Sequence, residues 1–465
     1  MTPSNELEAA DLAHVWHPFT LMAEYLEERP LLVERAEGFL LYDGDGRAYI
    51  DGFSSLWCNV HGHRVPELDD ALRRQIDLVS HSTLLGIGNR PAAELAARLA
   101  AVAPEGLTKV FYSDSGATAV EVALKMSYQY WRQCDEPRPR KTKFLSLGGA
   151  YHGDTLGDVS IGDIGRFHSL FAPLLFPVIR APSPHCYRCP LDLERSNCAM
   201  ACAGELERLV AQHADELAAV VIEPLVQGAA GMITAPEGYL RRVREVTREC
   251  GVHLIADEVA VGFARTGTLF ACDSEGVVPD FLCLAKGLTG GYLPLAATLT
   301  TPAIFEAFLG RADEGKTFFH GHTYTGNPLG CAVAIASLDK LLRDVLPVLP
   351  ARIERLRSEL EPLRACEIVG DIRQRGTMVG IELVRNRATR ERFAANERAG
   401  YRVCRMARER GLMIRPLGDT VVLMPAPGMD DATLSKMCGI VRDVVGEYAT
   451  ATSAARLSAE AGSLS

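Results

Sequence analysis

Short, largely apolar runs recur along the middle of the chain, separated by stretches with apolar residues three and four positions apart. The clearest runs are Lys109-Val-Phe-Tyr-Ser113, Lys143-Phe-Leu-Ser-Leu147, Ala219-Val-Val-Ile-Glu223, His253-Leu-Ile-Ala-Asp257 and Phe281-Leu-Cys-Leu-Ala285. Runs that are apolar at nearly every position predict strands buried on both faces. Between them, segment 117–131 places Val120, Ala123, Leu124 and Ser127 on one helical face. This strand–helix alternation over 66–335 predicts an α/β large domain. Its sheet should be mainly parallel, with ligands at the carboxyl ends of the strands. Residues 1–65 carry a hairpin pattern, Gly38–Asp43 and Ala48–Asp51 about a Gly44-Asp45-Gly46 turn, and are assigned to a small domain. An Arg/Leu-rich helix at 351–360 and the runs Thr377–Leu383 and Val421–Met424 predict a smaller α+β C-terminal domain over 336–448. The Ala/Ser-rich tail, 449–465, has little apolar bulk and predicts disorder.

A chain of 465 residues, 48% hydrophobic and 23% charged, has the makings of a large globular core. Its formal charge of −10, without a basic cluster, argues against nucleic acid as a partner. No apolar run approaches the roughly 20 residues that span a bilayer. The acidic start, Met1-Thr-Pro-Ser-Asn-Glu-Leu-Glu8, lacks the features of a secretory signal. Thirteen scattered cysteines fit a reducing cytoplasm better than a disulfide framework.

Lys286 ends an apolar strand and opens a Gly-rich turn, Lys286-Gly-Leu-Thr-Gly-Gly291. A poorly solvated amine deprotonates readily and can form an imine with an aldehyde. The neighbouring apolar run ends in Asp257-Glu258 in the same way. Pyridoxal 5'-phosphate (PLP) needs such a pair: a lysine for its aldehyde and a carboxylate for its ring nitrogen. Ser113-Asp-Ser-Gly-Ala-Thr118, where a strand gives way to a helix, suits a phosphate cup, although Ser/Gly-rich helix starts are also common caps. Tyr151-His-Gly-Asp154 offers an aromatic face that could stack on a pyridine ring, or simply pack.

In this order and spacing the motifs resemble the class III PLP-dependent aminotransferases, over about 14–445. The resemblance is carried by Asp114-Ser-Gly-Ala117, Tyr151-His-Gly-Asp154, Ile222-Glu-Pro224, Leu254-Ile-Ala-Asp-Glu-Val259, Gly262-Phe-Ala-Arg-Thr-Gly267, Lys286–Gly291 and Phe319–Pro328. It implies the aspartate-aminotransferase-like fold (fold type I), PLP as cofactor and a homodimer with shared active sites. Lys286 would bind the cofactor and act as base, Asp257 would keep the ring nitrogen protonated, and Tyr151 would stack on the ring. Ser115, Gly116, Ala117 and His152 would complete the cofactor site, with Thr323 and His322 reaching the neighbouring subunit's phosphate. Gly321 would lie beside substrate, and Arg415 would pair with a substrate carboxylate, for which its planar fork is suited. For Arg265 and Glu223 a structural ion pair and a gating role stay open.

Within the class, Val15-Trp-His-Pro-Phe-Thr20, Asp51-Gly-Phe-Ser-Ser-Leu-Trp57 and Ile414-Arg-Pro-Leu417 are most similar to the members that aminate 8-amino-7-oxononanoate to 7,8-diaminononanoate in biotin synthesis. Phe19 stands where several of these carry Tyr, and Leu56-Trp57 where some carry Trp-Trp. The substrate wall of Phe19, Leu56 and Trp57 therefore leaves the donor open between S-adenosylmethionine and lysine. An ω-amino acid or diamine aminotransferase using pyruvate or 2-oxoglutarate would share the cofactor residues, as would an aminomutase. Outside the common pattern, Cys186-x2-Cys189-x8-Cys198-x3-Cys202 is compatible with tetrahedral zinc or with a loop of free thiols.

Overall fold

The computed structural model describes residues 4–28 and 30–463. Strands β1 (Val33–Glu37), β2 (Leu40–Asp43) and β3 (Ala48–Asp51) form an antiparallel meander, and β15 (Leu412–Met413) pairs in parallel with β3. That pairing ties the N-terminal segment to the C-terminal third of the chain, and Ile50 packs into the C-terminal core.

The central sheet has seven strands: β4 (Lys109–Ser113), β5 (Lys143–Leu147), β6 (Ile179–Ala181), β7 (Leu217–Ile222), β10 (His253–Asp257), β11 (Phe281–Leu284) and β12 (Ala296–Thr300). Their spatial order is β4-β12-β11-β10-β7-β5-β6. Every residue of β7, β10, β11 and β12 is buried, as their continuous apolar runs require. The sheet is mainly parallel, as expected, and β12 alone runs against the other six strands. Parallel return needs a crossover of a dozen or more residues. The link from Lys286 to Leu295 is too short for one and turns back on itself through Gly290 and Gly291.

The helix Gly116–Gln133 covers the sheet with Val120, Ala123, Leu124, Ser127 and Trp131 buried, and the Trp131 indole donates to the Ala218 carbonyl at 2.9 Å. A two-stranded ribbon, β8 (Val226–Gln227) and β9 (Ile233–Thr234), follows β7. The C-terminal core surrounds the antiparallel sheet β13 (Val369–Arg375), β14 (Met378–Leu383), β17 (Thr420–Leu423) and β16 (Arg415–Leu417).

The segment expected to be disordered from 449 instead continues the helix Asp431–Ser463; residues 464 and 465 of that call lie outside the described residues. Leu434, Met437, Val441, Val444, Val445 and Ala449 share a buried face, and alanine is the residue that least opposes helix continuation. Low apolar bulk did not reveal this, because the preceding turns supply the packing.

Arg265 fastens these parts together. It is 1% exposed, and its guanidinium donates to the carbonyls of Asn59 (2.7 Å) and Pro425 (2.9 Å) and to the Ser54 hydroxyl (3.2 Å). The ion pair with Glu223 that the sequence left open does not form, because backbone carbonyls occupy both ends of the fork. Arg265→Met should leave two buried carbonyls unsatisfied and destabilise the protein by about 3 kcal/mol or more. The shift in urea midpoint of the cofactor-loaded protein measures it; a shift under about 1 kcal/mol would mean the carbonyls find other partners.

Candidate active site

Ser113, Glu223, Asp257 and Lys286 lie at or just beyond the carboxyl ends of β4, β7, β10 and β11, in the crevice where open α/β sheets bind ligands. Lys286 leaves β11 in the left-handed region, with φ 43°, a conformation that non-glycine residues adopt rarely and mostly at functional sites. The turn aims its amine at the Trp57 ring, 5.4 Å from the ring centre. Desolvation holds this amine below the usual lysine range, opposed by the carboxylates of Asp257 and Glu223.

Asp257 is 4% exposed and doubly anchored. One oxygen lies 2.7 Å from Nδ1 of the buried His152, and the other accepts the Val259 amide at 3.0 Å. A carboxylate fixed this way keeps lone pairs for a third donor, such as a protonated ring nitrogen. The His152 ring thus fixes the orientation of the Asp257 carboxylate. Glu223 accepts the amides of Tyr151 (3.2 Å) and Gly228 (2.9 Å), and burial pushes its carboxyl up to about 7.

Ser115 caps the helix Gly116–Gln133: its hydroxyl accepts the Thr118 amide at 3.2 Å, and Thr118 Oγ1 accepts the Ser115 amide at 3.0 Å. Its hydroxyl is thus committed to the cap, which leaves the amides of Gly116 and Ala117 at the helix start for an anion. A Cβ on Gly116 would overlap the Val259 side chain, and one on Gly153, whose φ is +144°, would overlap Ala117. The helix start can therefore sit against both loops only if these two residues lack a side chain. Amine, fixed carboxylate and anion cup fit an aldehyde cofactor with a phosphate and a basic ring nitrogen.

The Tyr151 hydroxyl donates to Asp154 at 2.7 Å, which fixes the ring; Asp154 had been assigned no role. Phe167 flanks both Tyr151 (ring centres 6.3 Å apart) and Phe19 (5.3 Å). Arg415, on β16, stands 5.7 Å from the Phe19 ring and forms no ion pair among the described residues. Burial lowers its pKa, with the nearby Tyr151 opposing. Residues Ser54, Ser55, Leu56 and Trp57 all have positive φ (54°, 47°, 66° and 71°), a left-handed turn of non-glycine residues. Such a turn costs about 1–2 kcal/mol per residue. Asp51 offsets it by accepting the Ser55 amide (2.8 Å) and hydroxyl (2.7 Å), and Ser54 donates to the Met424 carbonyl (2.6 Å). The turn presents buried Trp57 to Lys286, whereas Leu56 points outward. No glycine marks this turn, so the sequence carried no signal of it.

His322 lies 2.7 Å from Asp114 of its own chain, which ties it to its own cup segment. Gly321 and Thr323 are exposed. The four clustered cysteines line one small cavity of about 20 Å³ with Leu191 and Leu193, yet no three His, Cys, Asp or Glu among the described residues are placed to hold a metal ion. Burial raises the Cys186 thiol and pushes that of Cys202 up to about 11. No helix among the described residues is long and apolar enough to cross a membrane.

The family model for class III aminotransferases matches residues 22–445. A relative from Nitratidesulfovibrio vulgaris, named adenosylmethionine-8-amino-7-oxononanoate aminotransferase, is 56% identical over 94% of this chain and 81% of its own length. The solved structure of the protein of that name from Methanocaldococcus jannaschii aligns with TM-score 0.89 at 43% identity, covering 95% of this chain and 99% of that one. A thermostable (S)-enantioselective omega-transaminase from Thermomicrobium roseum aligns with TM-score 0.90 at 34% identity, covering 96% and 98%. With the model spanning most of its length and identities this high over nearly whole chains, the protein belongs to the class III aminotransferases.

Proposed function

We propose that the protein transfers an amino group to 8-amino-7-oxononanoate, giving 7,8-diaminononanoate for biotin synthesis, with S-adenosylmethionine as donor. The carrying observation is the substrate wall: Phe19, Trp57, Tyr151 and the unpaired Arg415 surround the entrance to Lys286, in a chain 56% identical to a relative of that name. PLP is the cofactor and supplies the electrophilic carbon and the electron sink. Gly116 and Ala117 would hold its phosphate through backbone amides, and Asp257, set by His152, would hold the proton on its ring nitrogen. Lys286, its ammonium form disfavoured by desolvation, accepts and returns the substrate proton, and the Tyr151 ring covers the site. Arg415 fixes the carboxylate end of the keto acid so that the reacting carbon lies near the Lys286 amine. Arg265 stays with its carbonyls and takes no part in gating.

An omega-transaminase reading is favoured by the fold match at TM-score 0.90. Assaying purified enzyme with 8-amino-7-oxononanoate against S-adenosylmethionine, lysine and ω-amino acids separates the two readings. Turnover only with ω-amino acids and pyruvate or 2-oxoglutarate would overturn the first.

We also place the enzyme in a reducing cytoplasm, which thirteen free cysteines support, and we infer a homodimer. Leu85 (89% exposed), Phe319 (85%) and Leu78 (77%) are too apolar to face water as a group. The contacts His81–Tyr324 (4.8 Å between ring centres) and Asn89 to the Gly326 carbonyl (3.0 Å) bring their two segments together. Thr323 sits on this face and is proposed to reach the partner's phosphate.

Borohydride reduction of the PLP-loaded protein should fix the cofactor to Lys286, read by peptide mass. Asp257→Ala should lower kcat by ~10²-fold or more, the size of a lost preorganised charge, and near-normal turnover would refute its role. Arg415→Ala should raise the KM for 8-amino-7-oxononanoate by ~30-fold or more, or ~2 kcal/mol, with Arg415→Lys recovering only part and visible cofactor absorbance unchanged. An unchanged KM with lost cofactor would make Arg415 structural. Mixing inactive Lys286→Ala with an inactive Thr323→Glu variant under subunit exchange should restore a measurable fraction of activity. No recovery in proven heterodimers counts against a shared site.

A further inference from the structure

A cavity of about 530 Å³ opens between the cysteine-rich segment and the C-terminal sheet, and none of the residues assigned to catalysis lines it. Its walls carry six arginines, Arg195, Arg357, Arg364, Arg373, Arg375 and Arg390, against three carboxylates, Glu237, Glu361 and Asp371. Four of these arginines are paired, Arg364 with Glu361 (3.1 Å), Arg373 with Asp371 (3.1 Å), Arg357 with Glu354 (2.5 Å) and Arg390 with Glu194 (3.0 Å), which leaves Arg195 and Arg375 without a carboxylate among the described residues. The Arg195 guanidinium forms no ion pair or hydrogen bond among the described residues; only its backbone carbonyl is engaged, by the Cys198 thiol. A guanidinium without a carboxylate on the wall of an open hollow is suited to an anionic ligand.

The hollow is a built one. Arg390 donates to the Tyr187 carbonyl (2.8 Å) and pairs with Glu194 (3.0 Å), which staples the cysteine-rich segment to the small domain. Arg188 and Arg373 share Glu382, each at 2.5 Å, and close the floor. The volume lies within the roughly 300–1,000 Å³ of small-molecule sites.

We propose that this cavity is a second binding site, for a small multiply charged anion carrying phosphate or carboxylate groups, held by Arg195 and Arg375. Burial lowers the His185 pKa to about 4, so its ring adds no charge to the wall. The site adjoins the catalytic wall through backbone. Arg373 donates to the Gly231 carbonyl (2.9 Å) in the loop between β8 and β9, where the Gly228 amide holds Glu223. After Arg375, the Thr377 amide donates to the Arg265 carbonyl at 2.8 Å.

Calorimetric titration of the PLP-loaded, full-length protein with inorganic phosphate, pyrophosphate, ATP and citrate tests the proposal and distinguishes phosphate from carboxylate ligands. At least one should bind, more weakly as salt rises. Arg195→Ala and Arg375→Gln should each weaken that binding by ~10-fold or more, the loss of a charge-assisted contact, while amino transfer without added anion stays unchanged. Arg415→Ala should leave it intact. Thermal stabilisation by the same anion should vanish in the Arg195→Ala/Arg375→Gln double variant. If none of the four binds, if neither cavity variant weakens binding, or if Arg415→Ala abolishes it, the anion site is refuted.

Discussion

Desolvation of charge at one edge of the sheet is the constraint to which the rest of the molecule answers. Lys286, Asp257, His152, Glu223 and Arg265 all lie where the buried strands end, out of reach of bulk water to differing degrees. An ionised group in such a place must be held by fixed dipoles or by an opposite charge. Each has its own solution. Asp257 takes a histidine and an amide, Glu223 two amides, and Arg265 two carbonyls and a hydroxyl. Of these five, only the Lys286 side chain has no hydrogen-bonding partner among the described residues, and desolvation disfavours its charged form.

The scaffold around the crevice follows from that need. Strands apolar on both faces let the carboxyl ends carry the polar groups while the interior stays dry. The short return from Lys286 to β12 keeps the lysine on a tight turn in place of a mobile crossover. The left-handed turn at Ser54–Trp57 is strained, and it is tolerated because Asp51, Met424 and Arg265 fix its backbone and hydroxyls. Strain held by surrounding contacts puts the Trp57 ring over the amine, and the same Arg265 joins N-terminal, central and C-terminal segments. The turn that faces the Lys286 amine and the junction of these three segments are therefore one structure.

Much of this was legible before any coordinates. The five apolar runs located β4, β5, β7, β10 and β11, β7 beginning two residues earlier than read, because largely buried strands leave a nearly unbroken apolar signature. By contrast, β12 is just as buried but its threonines break the run. The short strands β6, β8, β9, β15 and β16 had no such signature, since two or three residues cannot establish a period. The alanine-rich helix end was misread for a related reason: its order comes from the packed turns before it, and residues 449–463 alone show only weak hydrophobicity.

By itself, the sequence determined the chemistry on offer: an amine and a carboxylate at successive strand ends, a cap motif at a helix start, and a family pattern that named their roles. Those are local properties, set by residue type and by the period of burial. Tertiary structure decided what each group meets. It committed the Ser115 hydroxyl to a cap, set His152 behind Asp257, turned Leu56 outward and Trp57 inward, and gave Arg265 carbonyls where a carboxylate had been considered. It also gathered arginines from residue 195 to residue 390 around one hollow. Partners separated by tens to hundreds of positions come together only through chain packing, and hydrogen-bond geometry is fixed at that stage, beyond the reach of spacing or composition.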